Sequence, residues 1–221
     1  MTSIYELEQT YVYDTYNSIS KQFDSSRFCM WPEVTKFLDS CKSGSLIGDI
    51  GCGNGKYLNY RANDCIIVAC DISKELLKIS KERRDGCKEF TLANVLNLPY
   101  RDNLFDAIIH VAVLHHISTK ERRIQALKEL IRCCSIGGRI CITVWADEQI
   151  KKDKWKLCNT NNSNTDYMIP FDKRNGEIIM RYYHLFTEHD FRNLLEELHE
   201  LVIIEKFVYD KENWITILKK I

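Results

Sequence analysis

Gly48-Asp49-Ile50-Gly51-Cys52-Gly53-Asn54-Gly55-Lys56-Tyr57 sets a carboxylate two residues ahead of three alternating glycines. Ser45-Leu46-Ile47 before it reads as a short buried strand, and the residues after it suit the start of a helix. The glycines thus fall at a strand-to-helix turn, where missing Cβ atoms let backbone N–H groups approach a ligand and permit positive φ. The spacing departs from the dinucleotide fingerprint, because Lys56 stands where Gly-x-Gly-x-x-Gly needs its third glycine for close helix packing. A nicotinamide dinucleotide is therefore disfavoured.

About twenty residues on, the apolar run Cys65-Ile66-Ile67-Val68-Ala69-Cys70 ends in Asp71-Ile72-Ser73. An acidic residue at the end of a second strand is placed to accept hydrogen bonds from both ribose hydroxyls of a nucleoside, with Ile72 packed on the purine. Asp49, Gly51, Gly53, Asn54, Gly55 and Asp71 together resemble the S-adenosylmethionine site of class I methyltransferases, over roughly residues 45 to 145. The plainer alternative is a tight turn followed by a helix-capping Asp.

Composition narrows the classes. A chain of 221 residues suits one α/β domain. Lys and Arg total 31 against 31 Asp and Glu, so no global positive field recruits nucleic acid, and any such binding needs a local patch or a partner. Met-Thr-Ser-Ile-Tyr-Glu at the N-terminus has neither a basic stretch nor the apolar core of a signal peptide. No segment has the roughly eighteen apolar residues of a membrane span. Of the ten cysteines, Cys52, Cys65, Cys70, Cys134 and Cys141 sit in or beside apolar or glycine-rich segments that read as core. There is no Cys-x-x-Cys, and adjacent Cys133-Cys134 do not match the ligand pairs of structural zinc. The expectation is a reduced, metal-free chain, without a membrane partner, in the cytoplasm or nucleus.

Strand and helix patterns alternate: strands near 45–50, 65–70, 89–93, 105–111 and 138–145, helices near 54–62, 73–83 and 120–134. This predicts a mostly parallel sheet covered by helices on both faces, an α/β Rossmann-like architecture with seven strands. A helix near 187–198 and strands at Leu201–Tyr209 and Trp214–Lys219 read as the closing hairpin. Residues 1–40 read as a helical cap carrying Tyr11, Tyr13, Tyr16, Phe23, Arg27 and Trp31. Residues 146–181, with Lys151 to Lys156 and the run Asn159 to Asn164, read as a long polar substrate loop.

Ligands in open α/β sheets bind beyond the carboxyl ends of the strands. After the third strand comes Ala93-Asn94-Val95-Leu96, where many methyltransferases have an Asp for the adenine amino group; Asn94 accepts there without charge. After the fourth comes Val111-Ala112-Val113-Leu114-His115-His116, whose backbone and first side chains line the methionine end. Methyl transfer from a sulfonium is in-line displacement at an activated carbon, so the protein's task is alignment and exclusion of water. There is no Asn-Pro-Pro-Tyr element for amino acceptors and no Pro-Cys nucleophile for pyrimidine C6. Oxygen acceptors rank first.

Tyr11-Val12-Tyr13-Asp14-Thr15-Tyr16-Asn17, Phe23 to Phe28, Trp31-Pro32, Leu96-Asn97-Leu98-Pro99, His115 to Arg123, Val144-Trp145-Ala146 and Arg181-Tyr182-Tyr183-His184, with the glycine turn, resemble the tRNA wobble-uridine carboxymethyl methyltransferase family. The most specific parts are His-His-x-Ser-Thr-x-Glu-Arg-Arg and Arg-Tyr-Tyr-His. Departures are Asn94 and an altered segment between Trp145 and Arg181. The resemblance implies esterification of 5-carboxymethyluridine at tRNA position 34. A carboxylate is ionised at neutral pH and needs no base, but it needs a cationic clamp. Arg27 and Arg181 are assigned to it, with His116 or His184 as further donors. Trp145 and Tyr182 are assigned to stack on the uracil.

The same resemblance implies a small zinc-binding activator protein that pairs with the sheet edge, near Phe90 and Leu92 of the third strand. Lys120, Arg122, Arg123 and Lys151 to Lys156 are candidates for phosphate contacts. Two other readings stay open at this level: a class I O-methyltransferase of a small carboxylate or hydroxyl metabolite, and a non-catalytic scaffold with the same fold.

Overall fold

A computed structural model describes residues 4–26, 29–83, 87–149, 154–158 and 164–221. Its main sheet runs β1 (Leu46–Ile50), β2 (Ile66–Asp71), β3 (Cys87–Leu92), β4 (Phe105–Val111), β5 (Cys134–Trp145), and then the terminal pair β9 (Val202–Asp210) and β10 (Asn213–Lys220). Their order across the sheet is β3-β2-β1-β4-β5-β10-β9. β1 to β5 are parallel, while β10 is antiparallel to β5 and to β9. This is the seven-stranded class I methyltransferase sheet, with β3 at one edge as expected.

Period-2 alternation sorts the side chains onto two faces. Ile108, Ile140, Ile142 and Val144 face Ala126, Leu127, Leu130 and Ile131 of α6 (Lys120–Cys133) and Phe191, Leu194 and Leu195 of α7 (Glu188–Glu196). Ile47, Ala107, Ile109 and Cys141 face Val34, Phe37 and Leu38 of α4 (Pro32–Asp39) and Leu77 of α5 (Lys74–Arg83). The cysteines read as core are buried. Thr119 caps α6 by accepting from the Arg122 N–H, and Thr187 caps α7 by accepting from Asp190.

Two expectations are corrected. Residues 54–62 do not form a helix but run in successive three-residue turns, with Leu58 N–H to Gly55 O at 3.2 Å and Tyr60 N–H to Tyr57 O at 3.0 Å. Gly55 and Asn59 are weak helix formers, and Arg61 anchors the turns by donating to Leu38 O, Cys41 O and Asp64. The polar loop at 146–181 instead carries a second, antiparallel sheet: β6 (Lys156–Leu157), β7 (Asp166–Asp172) and β8 (Ile178–His184). Residues 150–153 and 159–163, with Lys151, Lys152 and most of the asparagine run, lie outside the described residues.

The N-terminal segment comprises α1 (Ile4–Glu8), a π-helical stretch Gln9–Asp14, α2 (Thr15–Ser18) and α3 (Ser20–Asp24). Asn17 Oδ1 accepts from Ser73 Oγ and Glu75 N at the start of α5. Asn54 Nδ2 of the glycine turn donates to Asp24 at 3.0 Å. These bonds lay the segment across the carboxyl ends of the strands.

Candidate active site

The strand order reverses at β1, between β2 and β4, and there the sheet opens a cavity of about 490 Å³. Gly51, Cys52, Gly53 and Asn54 line it after β1, Asp71, Ile72 and Ser73 after β2, Asn94 and Val95 after β3, and Val111, Ala112 and Val113 at the end of β4. Val12, Tyr13, Tyr16 and Phe23 of the N-terminal segment form its roof.

The glycine turn is built by steric need. Gly51 has φ +82°, and a Cβ there would lie 2.3 Å from Val113 Cγ2. Asp71 then holds the turn: its carboxylate accepts from Gly53 N–H at 2.8 Å and Ser73 N–H at 2.7 Å. Burial nevertheless pushes its pKa upward. Asp49 lies behind the turn rather than on the wall, with Oδ2 buried and unpartnered. Burial, and then the Asp71 charge, raise its pKa to about 7. Gly55 is also off the wall, packed against Ser80 of α5. Asn94 Oδ1 accepts from Leu96 N–H, while its Nδ2 donates to Tyr13 OH at 3.4 Å.

Two acidic groups beside a glycine cradle and an apolar wall fit S-adenosylmethionine. Asp71 suits a pair of hydroxyls, Ile72 and Val95 offer an apolar wall to a purine, and the buried, unpartnered Asp49 oxygen adds negative potential from behind the glycine turn.

On the β4–β5 side a chain of polar groups is fixed by donor logic. His116 Nδ1 lies 2.9 Å from the Tyr182 carbonyl, which only accepts, so Nδ1 carries the proton. Nε2 then accepts from Tyr16 OH at 2.9 Å. Burial pushes the His116 pKa down to about 3, so the ring is neutral. Tyr16 OH also meets Tyr183 OH at 3.1 Å and Arg181 Nη1 at 3.4 Å. Arg181 is 3% exposed, its Nε has no partner, and no carboxylate among the described residues pairs with it. Its guanidinium lies over the Phe171 and Tyr183 rings, 5.0 and 5.1 Å from their centroids. Burial opposes its charge, yet the Tyr183 and Tyr16 phenols hold its pKa above the ordinary value.

The structure corrects several expected roles. Arg181 is not on the cavity wall but one layer behind Tyr16 and Tyr183, so it is not a direct bidentate clamp. His116 lines the cavity with both ring nitrogens engaged, leaving no N–H to give a carboxylate. Alternation along β8 turns Tyr182 and His184 away: Tyr182 is fully buried with its OH on Ser118 O, and His184 pairs with Asp166 at 2.7 Å. The aromatic on the wall is Tyr183, tilted against Trp145 with centroids 4.6 Å apart. Trp145 lines the cavity, with its backbone N–H donating to His115 Nδ1. Arg27 lies outside the described residues. Tyr13, Tyr16, Gln149 and Asn213 are wall residues that sequence reasoning left unassigned. The tyrosine spacing at 13 and 16 was a signal for the first two.

Residues 48–142 match the model of a methyltransferase domain. An Arabidopsis thaliana tRNA (carboxymethyluridine(34)-5-O)-methyltransferase is 48% identical over 144 residues, covering 65% of this chain and 35% of the relative. A Schizosaccharomyces pombe protein of the same name is 31% identical, with 97% of this chain and 98% of that one covered. The chain thus spans about a third of the Arabidopsis relative and nearly all of the fission yeast one. Among solved structures, a chain from a complex between the Haloferax volcanii Trm112 methyltransferase activator and a methyltransferase superposes with TM-score 0.68 at 12% identity, covering 97% of both chains. That likeness concerns the fold. On the full-length match, the chain belongs to the family of tRNA (carboxymethyluridine(34)-5-O)-methyltransferases.

Proposed function

We propose that this protein methylates the carboxylate of 5-carboxymethyluridine at the wobble position of tRNA. The observation that carries the reading is Arg181: a buried guanidinium with no carboxylate partner among the described residues, set behind the Tyr16 and Tyr183 wall of the cavity. A buried cation without a counter-charge is unfavourable until an anion arrives. S-adenosylmethionine supplies a methyl group made electrophilic by a positively charged sulfur. The substrate carboxylate is already ionised, so no residue has to remove a proton, which agrees with a neutral His116 occupied by Tyr16. Arg181 draws the anion by its positive charge from behind Tyr16 and Tyr183, and Trp145 and Tyr183 offer flat faces to the uracil. The cap of Tyr13, Tyr16 and Phe23 excludes water.

The reading includes a small zinc-binding activator protein on the β3 edge. Leu92 there is 57% exposed, and an unpaired edge accepts an added strand. The assembly named for the Haloferax neighbour supports the same partner class. Lys120 and Arg122, engaged with Glu197 and Glu8, are less suited to phosphate contacts than expected.

The test is methyl transfer to tRNA carrying 5-carboxymethyluridine, with the activator present. Transfer is expected on that RNA and not on the same tRNA without the carboxymethyl group. Equal transfer to both would reject the carboxylate assignment.

A further inference from the structure

The β9–β10 turn closes one end of the cavity, with Lys211, Glu212 and Asn213 on the wall beside Trp145, Gln149 and Tyr183. Two non-glycine residues of the turn have positive φ, Lys211 at 46° and Glu212 at 64°. Positive φ at both positions is the geometry of a two-residue hairpin loop, taken here by two side chains that disfavour it. Here Ala146 N–H and Gln149 Nε2 both donate to the Glu212 carbonyl, at 3.0 and 2.7 Å. The strained turn is thereby bound to the segment that follows β5.

Asn213 comes next and sits directly opposite Trp145 in the β5–β10 register. Its Nδ2 donates to the carbonyls of Lys211 and Asp210, at 2.6 and 3.4 Å. Carbonyls only accept, so the orientation of the amide is fixed. The remaining atom, Oδ1, is buried and has no hydrogen-bond partner. An acceptor left unpaired inside a protein calls for an explanation, and the turn is held by Nδ2 alone. The nucleoside end of the cavity does not supply it. Asp71 ends β2, four strands away in the order β2-β1-β4-β5-β10, or about 19 Å at about 4.8 Å per strand. At this end of the cavity the ligand to consider is the methyl acceptor.

We infer that Asn213 Oδ1 accepts the N3–H of the target uracil and thereby selects uracil over cytosine. This rests on the uridine reading above. Uracil presents a donor at N3, whereas cytosine presents an acceptor that would face Oδ1 lone pair to lone pair. A site built around one hydrogen bond strongly rejects the analogue that lacks it. Asn213 is thus a specificity-determining residue, and the methyl transfer itself does not involve it.

The test compares kcat/KM of the full chain with its activator on anticodon stem-loops carrying 5-carboxymethyluridine, its N3-methyl derivative, or 5-carboxymethylcytidine. Wild type is expected to prefer the first by at least about 100-fold. Asn213→Ala should lose at least about ten-fold on the uridine RNA and little on the others, collapsing the preference. Asn213→Asp keeps an acceptor oxygen but gives up the Nδ2 donor to the turn, so it should lose activity on every RNA yet retain most of the preference. Thermal unfolding checks that both variants are folded. A preference unchanged in Asn213→Ala overturns the inference, as does an equal loss in both variants on every RNA, which would mean that Asn213 only holds the turn. Wild type equally active on all three RNAs overturns it while leaving carboxylate methylation standing. Wild type inactive on all three rejects the proposed function and this inference with it.

Discussion

Glu8 accepts hydrogen bonds from both the backbone N–H and the hydroxyl of Ser118, at 2.8 and 2.6 Å, across 110 residues of sequence. Arg122 Nε and Tyr13 OH complete its shell at 2.9 and 3.0 Å. Burial works against its charge, but the bonds from Arg122 and Ser118 win and hold the carboxyl below its ordinary range. The N-terminal segment is thereby bound to the turn that carries His115 and His116. Glu8→Ala strands the buried Ser118 N–H and should cost about 2–3 kcal/mol in urea unfolding. Because the folded pKa is depressed, this contribution is present above the unfolded value near 4.3 and fades as pH falls through the folded one. A variant as stable as wild type at pH 7 would show that the cap is not held here.

The glycine turn makes an asymmetric prediction. Gly51→Ala forces a Cβ to 2.3 Å from Val113 at φ +82° and should cost about 3 kcal/mol or more. Gly53→Ala, at φ +55°, meets only Phe23 at 3.8 Å and should cost about 1–2 kcal/mol. Chemical denaturation of the two variants decides it, and equal losses would refute the steric account.

The main sheet was legible because β1, β2, β4 and β5 carry Ile/Val-rich runs and the glycines, Asp71 and the paired histidines mark the turns that follow the first, second and fourth strands. Asp71 and the glycines sit where the alternation put them. What escaped was the sheet β6-β7-β8. Asp166 to Asp172 holds an unbroken apolar run between two aspartates, but Pro170 and the preceding asparagines argue against a strand. Missing β8 hid its register, so Tyr182 was assigned to the uracil when one residue on, at Tyr183, the side chain faces the cavity. Asn213 carried no signal, since only pairing with β5 brings it opposite Trp145. Arg181 was found by chemistry, yet only packing reveals the tyrosines between it and the cavity.

Asp49 sets a pH dependence. Its folded pKa of about 7 lies above the ordinary carboxyl value. The neutral acid is the form favoured by burial, so this contribution to stability is full below about pH 4 and is lost as pH rises through about 7. The protein alone should therefore melt at a lower temperature at pH 8 than Asp49→Asn does, with the difference shrinking toward pH 5. A cofactor ammonium that favours the ionised form should release protons on binding near pH 6.5, which calorimetry in buffers of different ionisation enthalpy detects. No net proton release would place Asp49 outside the cofactor site.

Arg181 and Tyr183 separate binding from turnover. The guanidinium reaches the cavity only through the Tyr16 and Tyr183 hydroxyls, so its loss removes positive potential from the acceptor end and leaves the glycine turn and Asp71 untouched. Arg181→Gln should lower kcat/KM on carboxymethyluridine tRNA by about 100-fold or more, while the S-adenosylmethionine Kd moves less than about three-fold. Tyr183→Phe keeps the ring against Trp145 and deletes only the hydroxyl, and should cost about ten-fold in kcat/KM. Because Arg181 leans on Tyr16, the double variant Arg181→Gln/Tyr183→Phe should lose less than the product of the single effects, as groups sharing one hydrogen-bond chain do. Full multiplicativity would mean that the two act independently, and a cofactor Kd that moves as much as kcat/KM would remove Arg181 from the acceptor end altogether.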